Sequence, residues 1–260
     1  MNEVDLSGLA KALHTSRKER TARRRLTEAH PELTLREAYR IMRLGVDLRR
    51  DEGEVQVGYK MGLTSQAKRE QMSIDSPCYG TLTDRMQIPS GETFEVARGI
   101  HPKIEPEIAF RTSKVLKGRP DREEVLAACD GVCAALEILD SRYEGFKYFS
   151  LTDVVADNSS SSHFVLAAGW EPVQGQDFTD LSLRLWVDGS LAQEAPSTAI
   201  SGDPVLSVVQ LVAMLDEEGL ELPAGSIVLA GAATAAEALT PGLEVTLEVD
   251  GMAPVSLRAV

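Results

Sequence analysis

Apolar positions open the chain at close to helical spacing. Val4, Leu6, Leu9, Ala10 and Leu13 fall near the 3.6-residue period that lines one face of a helix. A second helix is signalled at Thr34-Leu35-Arg36-Glu37, a capping-box pattern in which the threonine oxygen accepts from the third helical N–H and the glutamate reaches back to the cap. Ala38, Ile41, Met42, Gly45 and Leu48 supply its apolar stripe, and Asp51-Glu52-Gly53 closes it. The period then drops to two. Val55-Gln56-Val57-Gly58-Tyr59 alternates as a short strand and delivers Lys60, flanked by Gly58 and Gly62. From Ser65 to Cys78 the charges and turn formers predict a polar surface loop.

Pro89-Ser90-Gly91 marks a turn, and His101 to Phe110 reads as a strand. Pro106 within it predicts an edge strand or an irregular one. Asp121 with Glu124 caps a short helix through Val125 and Leu126 that yields near Gly131 to another strand. Val132, Ala134, Leu136 and Ile138 share one face of that strand; Cys133, Ala135, Glu137 and Leu139 share the other. Leu181, Leu183, Leu185 and Val187 alternate up to an Asp188-Gly189 turn, and Asp250-Gly251 closes a last hairpin. One helix lies between them, capped by Asp203, started by Pro204 and ended by Gly219. Strands outnumber helices without alternating regularly, which predicts an α+β fold: a helical N-terminal region over 1–54 and a β-rich catalytic domain over 55–260.

Charge narrows the classes of partner. Against 27 basic residues stand 40 acidic ones, a net charge of -13, which argues against broad attraction to nucleic acid or to an anionic membrane. The basic run from Arg17 to Arg25 reads as a solvated helical face or as a partner for acidic residues of the same protein or of a neighbouring subunit. Cys78, Cys129 and Cys133 show no CxxC spacing, and no run approaches the roughly 20 apolar residues of a membrane span. The expectation is a cytoplasmic protein with neither disulfides nor zinc. His14, His30, His101 and His163 lack metal-ligand spacing and read as structural or surface residues.

The chemistry concentrates in carboxylates. Glu105 and Glu107 are two apart on a strand, so their side chains share one face and crowd like charges together. Glu137, beside the small Cys133 and Ala135, has room to converge on them. Three carboxylates around one point raise each other's pKa unless a cation intervenes, and an all-oxygen set suits Mg²⁺ or Mn²⁺ better than zinc. A solvated strand carrying Glu-x-Glu is the competing reading. The stretch DVVADNSSSS over 153–162 reads either as a Ser/Asn turn or as a source of hydroxyl and amide donors to a carboxylate ligand.

The segments KMGLTSQAKREQM, SPCYGTLTD, HPKIEPEIAF, LEILDSR, VVADNSSSS and GSIVLAGAATAAEALTPGLEVTLEVDG, in this order, resemble the fumarylacetoacetate hydrolase superfamily, in its branch of 2-oxopent-4-enoate hydratases and 4-oxalocrotonate decarboxylases. One departure is Gly251-Met252-Ala253-Pro254, where the family has a glycine-serine pair. The resemblance implies a mixed β-sandwich roll and a divalent metal, Mg²⁺ or Mn²⁺, held at Glu105, Glu107 and Glu137. KMGLTS, YGTLTD and HPKIEPEIAF look more like the decarboxylases, which implies conversion of 2-oxohex-3-enedioate to 2-hydroxypenta-2,4-dienoate in the meta-cleavage catabolism of aromatic compounds. On that reading Lys60 is catalytic. Asp84 or Asp157 positions the distal end, Ser160, Ser161 and Thr234 contact carboxylates, and the loop from Ser65 to Cys78 closes over the substrate. Homo-oligomers and a complex with the hydratase are further implications. The alternatives are the hydratase itself and a non-catalytic partner within a hydratase–decarboxylase assembly.

Overall fold

The computed structural model describes residues 1, 3–65, 76–146 and 150–260. Most of the expected Ser65 to Cys78 loop, and with it the expected closure, lies outside these residues.

Helix α1 (Glu3–Glu19) buries Leu6, Ala10 and Leu13, while Val4 stands 80% exposed at its start. After a single turn, α2 (Leu26–Ala29), comes α3 (Leu35–Asp51), against which α1 packs. The capping box forms as expected: the Glu37 N–H donates to Thr34 Oγ1 at 3.3 Å, and the Thr34 N–H donates to Glu37 Oε2 at 2.9 Å. The buried stripe is rotated from the predicted one. It runs through Ala38, Tyr39, Ile41, Met42, Val46 and Arg49, leaving Gly45 and Leu48 half-buried. Two polar-ended residues cause the rotation: Tyr39 stacks on Tyr79 at 4.6 Å, and Arg49 turns inward to Glu54.

The chain then builds β1 (Gln56–Gly62), β2 (Cys78–Thr83), β3 (Gln87–Pro89), β4 (Thr93–Phe94) and β5 (Lys103–Thr112). The capped helix α4 (Arg122–Ala128) leads directly into β6 (Cys129–Leu139), two residues earlier than Gly131. Helix α5 (Leu151–Ala156), which packs on α3, precedes β7 (Ser161–Leu166), and the hairpin β8 (Ser182–Val187) with β9 (Ser190–Pro196) follows. Its Asp188 and Gly189 both have positive φ, 49° and 74°, the conformation of a two-residue hairpin turn. Helix α6 (Pro204–Glu217), β10 (Ile227–Leu229), β11 (Glu237–Ala238), β12 (Glu244–Val249) and β13 (Val255–Ala259) complete the described elements.

These strands form two sheets. The larger is mixed, in the order β2-β1-β10-β5-β6-β7-β3 with β11 also against β5; the smaller runs β4-β13-β12-β8-β9. Strands β12 and β13 lie against β6, so the sheets pack face to face and the predicted sandwich roll is what forms. Both faces of β6 are consequently buried. The segment Ser197–Glu217 is apolar enough, at a mean hydropathy of 1.5, to match a membrane span by length and composition, which the sequence reading did not anticipate. Half of its most apolar window is buried in the core, through residues such as Val205, Val208 and Leu211.

Pro106 corrects a second expectation. β5 is central, hydrogen-bonded to β6 along one side and to β10 and β11 along the other. The proline fits because β10 reaches only Ala109 to Arg111 and β11 only Lys103 and Ile104. Pro106 faces the gap between them, where its carbonyl accepts from the Ala233 N–H at 3.1 Å and no partner carbonyl calls for the missing N–H.

Thr34→Ala should lower the unfolding free energy by about 1 kcal/mol, and Thr34→Gly by only a few tenths, measured by urea titration. Equal losses would mean that the threonine acts by packing and not by capping.

Candidate active site

Antiparallel pairing of β5 and β6 sets Glu105 opposite Glu137 and Glu107 opposite Ala135. The period of two turns Glu105 and Glu107 to the same face, and the alanine leaves space between strands. One carboxylate oxygen from each of Glu105, Glu107 and Glu137 lies within 4.8 Å of the other two. Depth increases along β5: Lys103 and Glu105 are half-buried, while Glu107 and Glu137 are both 0% exposed.

Lys60 reaches this cluster from β1, two strands away. The intervening β10 ends at Leu229, which is Lys60's register partner. Lys60, only 3% exposed, donates through its ammonium to Glu137 Oε2 at 3.1 Å. Just beyond β10 the Gly231 N–H donates to Glu107 Oε2 at 2.7 Å. Gly231 has φ +108°, and a Cβ there would lie 2.3 Å from Thr64 Oγ1, so a side chain is excluded both by conformation and by space.

Burial and the neighbouring Glu137 push the Glu107 carboxyl well above the usual range. Glu137 is raised too, chiefly by burial, with Lys60 opposing. Burial alone lowers Lys60, but Glu137 and Glu107 outweigh it and hold the ammonium above its ordinary value. Lys60 is therefore a charged donor at neutral pH. Oε1 of Glu107 and Oε1 of Glu137 are buried without a hydrogen-bond partner, a costly state for carboxylate oxygens. A hard divalent cation fits this all-oxygen donor set and supplies the missing partner.

A cavity of about 530 Å³ opens above the cluster, with Lys60 and Glu105 in its lining. Met61, Leu63, Leu139, Phe146 and Val154 give it apolar walls. Lys103 adds a second cation, its Nζ 4.5 Å from the centre of the Phe146 ring. Ser159 and Ser160 line another side, on a segment where Asn158, Ser159 and Ser160 all have positive φ, 51°, 51° and 57°. Side-chain bonds hold that unusual backbone in place. Asn158 pairs with both backbone groups of Thr81 at 2.7 and 2.9 Å, and Ser159 Oγ donates to the Tyr79 carbonyl at 2.8 Å. Beneath it Asp157 binds the Arg142 guanidinium.

Of the residues expected in the site, Lys60, Glu105, Glu107 and Glu137 converge, and Ser160 lines the cavity. Others are placed elsewhere. Asp84 is exposed and accepts from the N–H groups of Val55 and Arg85 at 2.8 and 2.9 Å, tying down the start of a turn. Asp157 is buried in its pair with Arg142, and burial pushes it up to about 6 despite that pair. Ser161, one residue on from Ser160, faces a different cavity. Thr234 is half-buried, and its neighbour Ala235 lines the cavity where Thr234 does not. Sequence reasoning missed Lys103, Phe146 and Gly231, while Asn158, the amide of the stretch over 153–162, spends its side chain on Thr81. Lys103 alone carried a usable signal, its spacing of two from Glu105.

Residues 50–259 match the family model described as fumarylacetoacetate (FAA) hydrolase C-terminal. A 4-oxalocrotonate decarboxylase from Pseudomonas sp is 43% identical over 86% of this chain and 86% of its own length. A 2-hydroxyhexa-2,4-dienoate hydratase from Comamonas testosteroni is 32% identical over 90% of this chain and 89% of its own. The solved structure of 4-oxalocrotonate decarboxylase from Pseudomonas putida G7, complexed with magnesium and adipate, superposes with a TM-score of 0.96 at 33% identity, covering 100% of this chain and 99% of that one. By fold, by sequence and by its carboxylate cluster, the chain belongs to the fumarylacetoacetate hydrolase family.

Proposed function

We propose that the protein decarboxylates 2-oxohex-3-enedioate to 2-hydroxypenta-2,4-dienoate and CO₂. The observation that carries this reading is the buried Lys60 ammonium set against carboxylates whose outer oxygens lack partners, at the base of a cavity with a second cation further along the same wall. The Pseudomonas decarboxylase with magnesium and adipate, itself a six-carbon dicarboxylate, supports it. Glu105, Glu107 and Glu137 would hold Mg²⁺, with Mn²⁺ an alternative. When bound, such an ion supplies Lewis-acid polarisation of the substrate's 2-oxo group.

The rest falls to the chain's own groups. In the reaction the C5–C6 bond breaks, its electrons move through the C3–C4 double bond, and negative charge arrives at the C2 oxygen. Lys60 Nζ is the donor for that oxygen: its charge is held by Glu137 and Glu107, so it gives a hydrogen bond and then the proton of the enol. Lys103 lies two residues beyond Glu105 on the cavity face, about 7 Å along the strand, and takes the distal carboxylate. The apolar walls keep water from that end, where charge is lost as neutral CO₂ departs. Asp157, with Arg142, acts by holding the Ser159-Ser160 segment, and Asp84 is spent on the N–H groups of Val55 and Arg85. Free buried cysteines accord with a reducing cytoplasm, and a complex with a hydratase that consumes the product accords with the hydratases among the relatives; a homo-oligomer belongs to the same proposal.

Metal-stripped protein given 2-oxohex-3-enedioate should release CO₂ only after Mg²⁺ is added, with the ultraviolet spectrum of the dienoate appearing in step. Hydration of the dienoate without CO₂ release would make this a hydratase instead, and neither reaction would leave the non-catalytic partner. Lys60→Met should lower kcat by about a hundredfold or more while Mg²⁺ still binds; unchanged turnover would remove Lys60 from the chemistry. Lys103→Met should raise KM for the dicarboxylate by about tenfold with a smaller change in kcat. An equal loss in the inhibition constant of a competitive inhibitor lacking the distal carboxylate would contradict that role.

A further inference from the structure

A second cavity, of about 300 Å³, shares no lining residue with the catalytic one. It collects positive charge in a chain whose net charge is -13. Arg17 and Lys18 reach it from the end of α1, Arg49 from α3, and Arg85, Arg98 and Arg142 from the loops around β7. The carboxylates on its walls are already engaged. Glu52 is bound by Lys18, His14 and Arg17, Glu54 by the Thr83 hydroxyl and Arg49, and Asp140 by the N–H groups of Ile100 and His101. Arg98 has no carboxylate partner among the described residues.

Unmet donors point the same way. Ser161, 1% exposed, has a buried hydroxyl with no hydrogen-bond partner, and so has Arg17 Nε. Burial, and after it the charge of Arg17, pushes the Arg49 guanidinium down to about 10, although Glu54 opposes. Burial with the charges of Arg98, Arg49 and Arg17 pushes His163 down to about 3, so the ring at the cavity wall is neutral and adds no charge of its own. Glu52 and Glu54 each answer one guanidinium, Arg17 and Arg49, while Arg98 is left over, and the planar forks of these groups match the oxygens of phosphate and carboxylate.

We propose that this cavity is a binding site for a small oxyanion, phosphate or carboxylate, held by Arg17, Arg49 and Arg98 with the Ser161 hydroxyl donating. The site is independent of the catalytic reading. It gives a role to the start of the Arg17 to Arg25 basic run, which the decarboxylation chemistry leaves unused.

The test is equilibrium dialysis of the Mg²⁺-loaded protein against radiolabelled inorganic phosphate at constant ionic strength, with succinate as competitor. Wild type should bind a single phosphate per chain saturably. Arg17→Gln should weaken binding by about tenfold, and Arg98→Ala, at an exposed position that does not threaten folding, by a smaller factor. Arg184→Ala, on the smaller sheet, should bind as wild type does. Displacement by succinate assigns a carboxylate ligand, and resistance to it a phosphoryl one. Absence of saturable binding, or affinities unchanged in Arg17→Gln and Arg98→Ala, would overturn the site.

Discussion

The structure turns on negative charge taken out of water. Glu107 and Glu137 are fully buried, Glu105 stands beside them, and the Lys60 ammonium reaches Glu137. Withdrawing an ionised carboxylate from solvent costs several kcal/mol even after relaxation, and like charges at this range add to that cost. Lys60 compensates one carboxylate. Oε1 of Glu107 and Oε1 of Glu137 remain buried without a partner, a charge imbalance that a divalent ion removes.

Several features of the backbone follow from that arrangement. β10 is short, so Lys60 can pass over its end to Glu137. The chain leaves the sheet through Gly231, whose positive φ aims an N–H at Glu107. Pro106 lies between the two glutamates and faces the opening where β10 and β11 fail to meet. On the far side of the cavity the left-handed run Asn158 to Ser160 is held by Thr81, Tyr79 and, through Asp157, by Arg142. The positively charged cavity shares Arg142 with this support, so basic and acidic centres are built back to back.

Much of this was legible in the sequence because it depends on local periodicity. Period two put Glu105 and Glu107 on one face, and short-range capping chemistry located the starts of α3, α4 and α6 to the residue. What failed depended on distant partners. Pro106 reads as the mark of an edge strand or an irregular one, and nothing local reveals that the strand is central with a gap between β10 and β11 beside the proline. Asp157 resembled a ligand residue until Arg142 was found to occupy it, and Asp84 until its oxygen was found on the Val55 amide. Phe146 and Gly231 meet the site only through the register of the sheet and the path of a loop, which spacing does not encode.

The central claim is most directly tested by isothermal titration of Mg²⁺ into metal-stripped wild-type protein and Glu107→Gln. The charge imbalance predicts a single saturable site per chain in wild type, lost or severely weakened in the variant while its folded circular dichroism spectrum persists. Saturable binding of undiminished affinity in Glu107→Gln, or none in wild type, would contradict it.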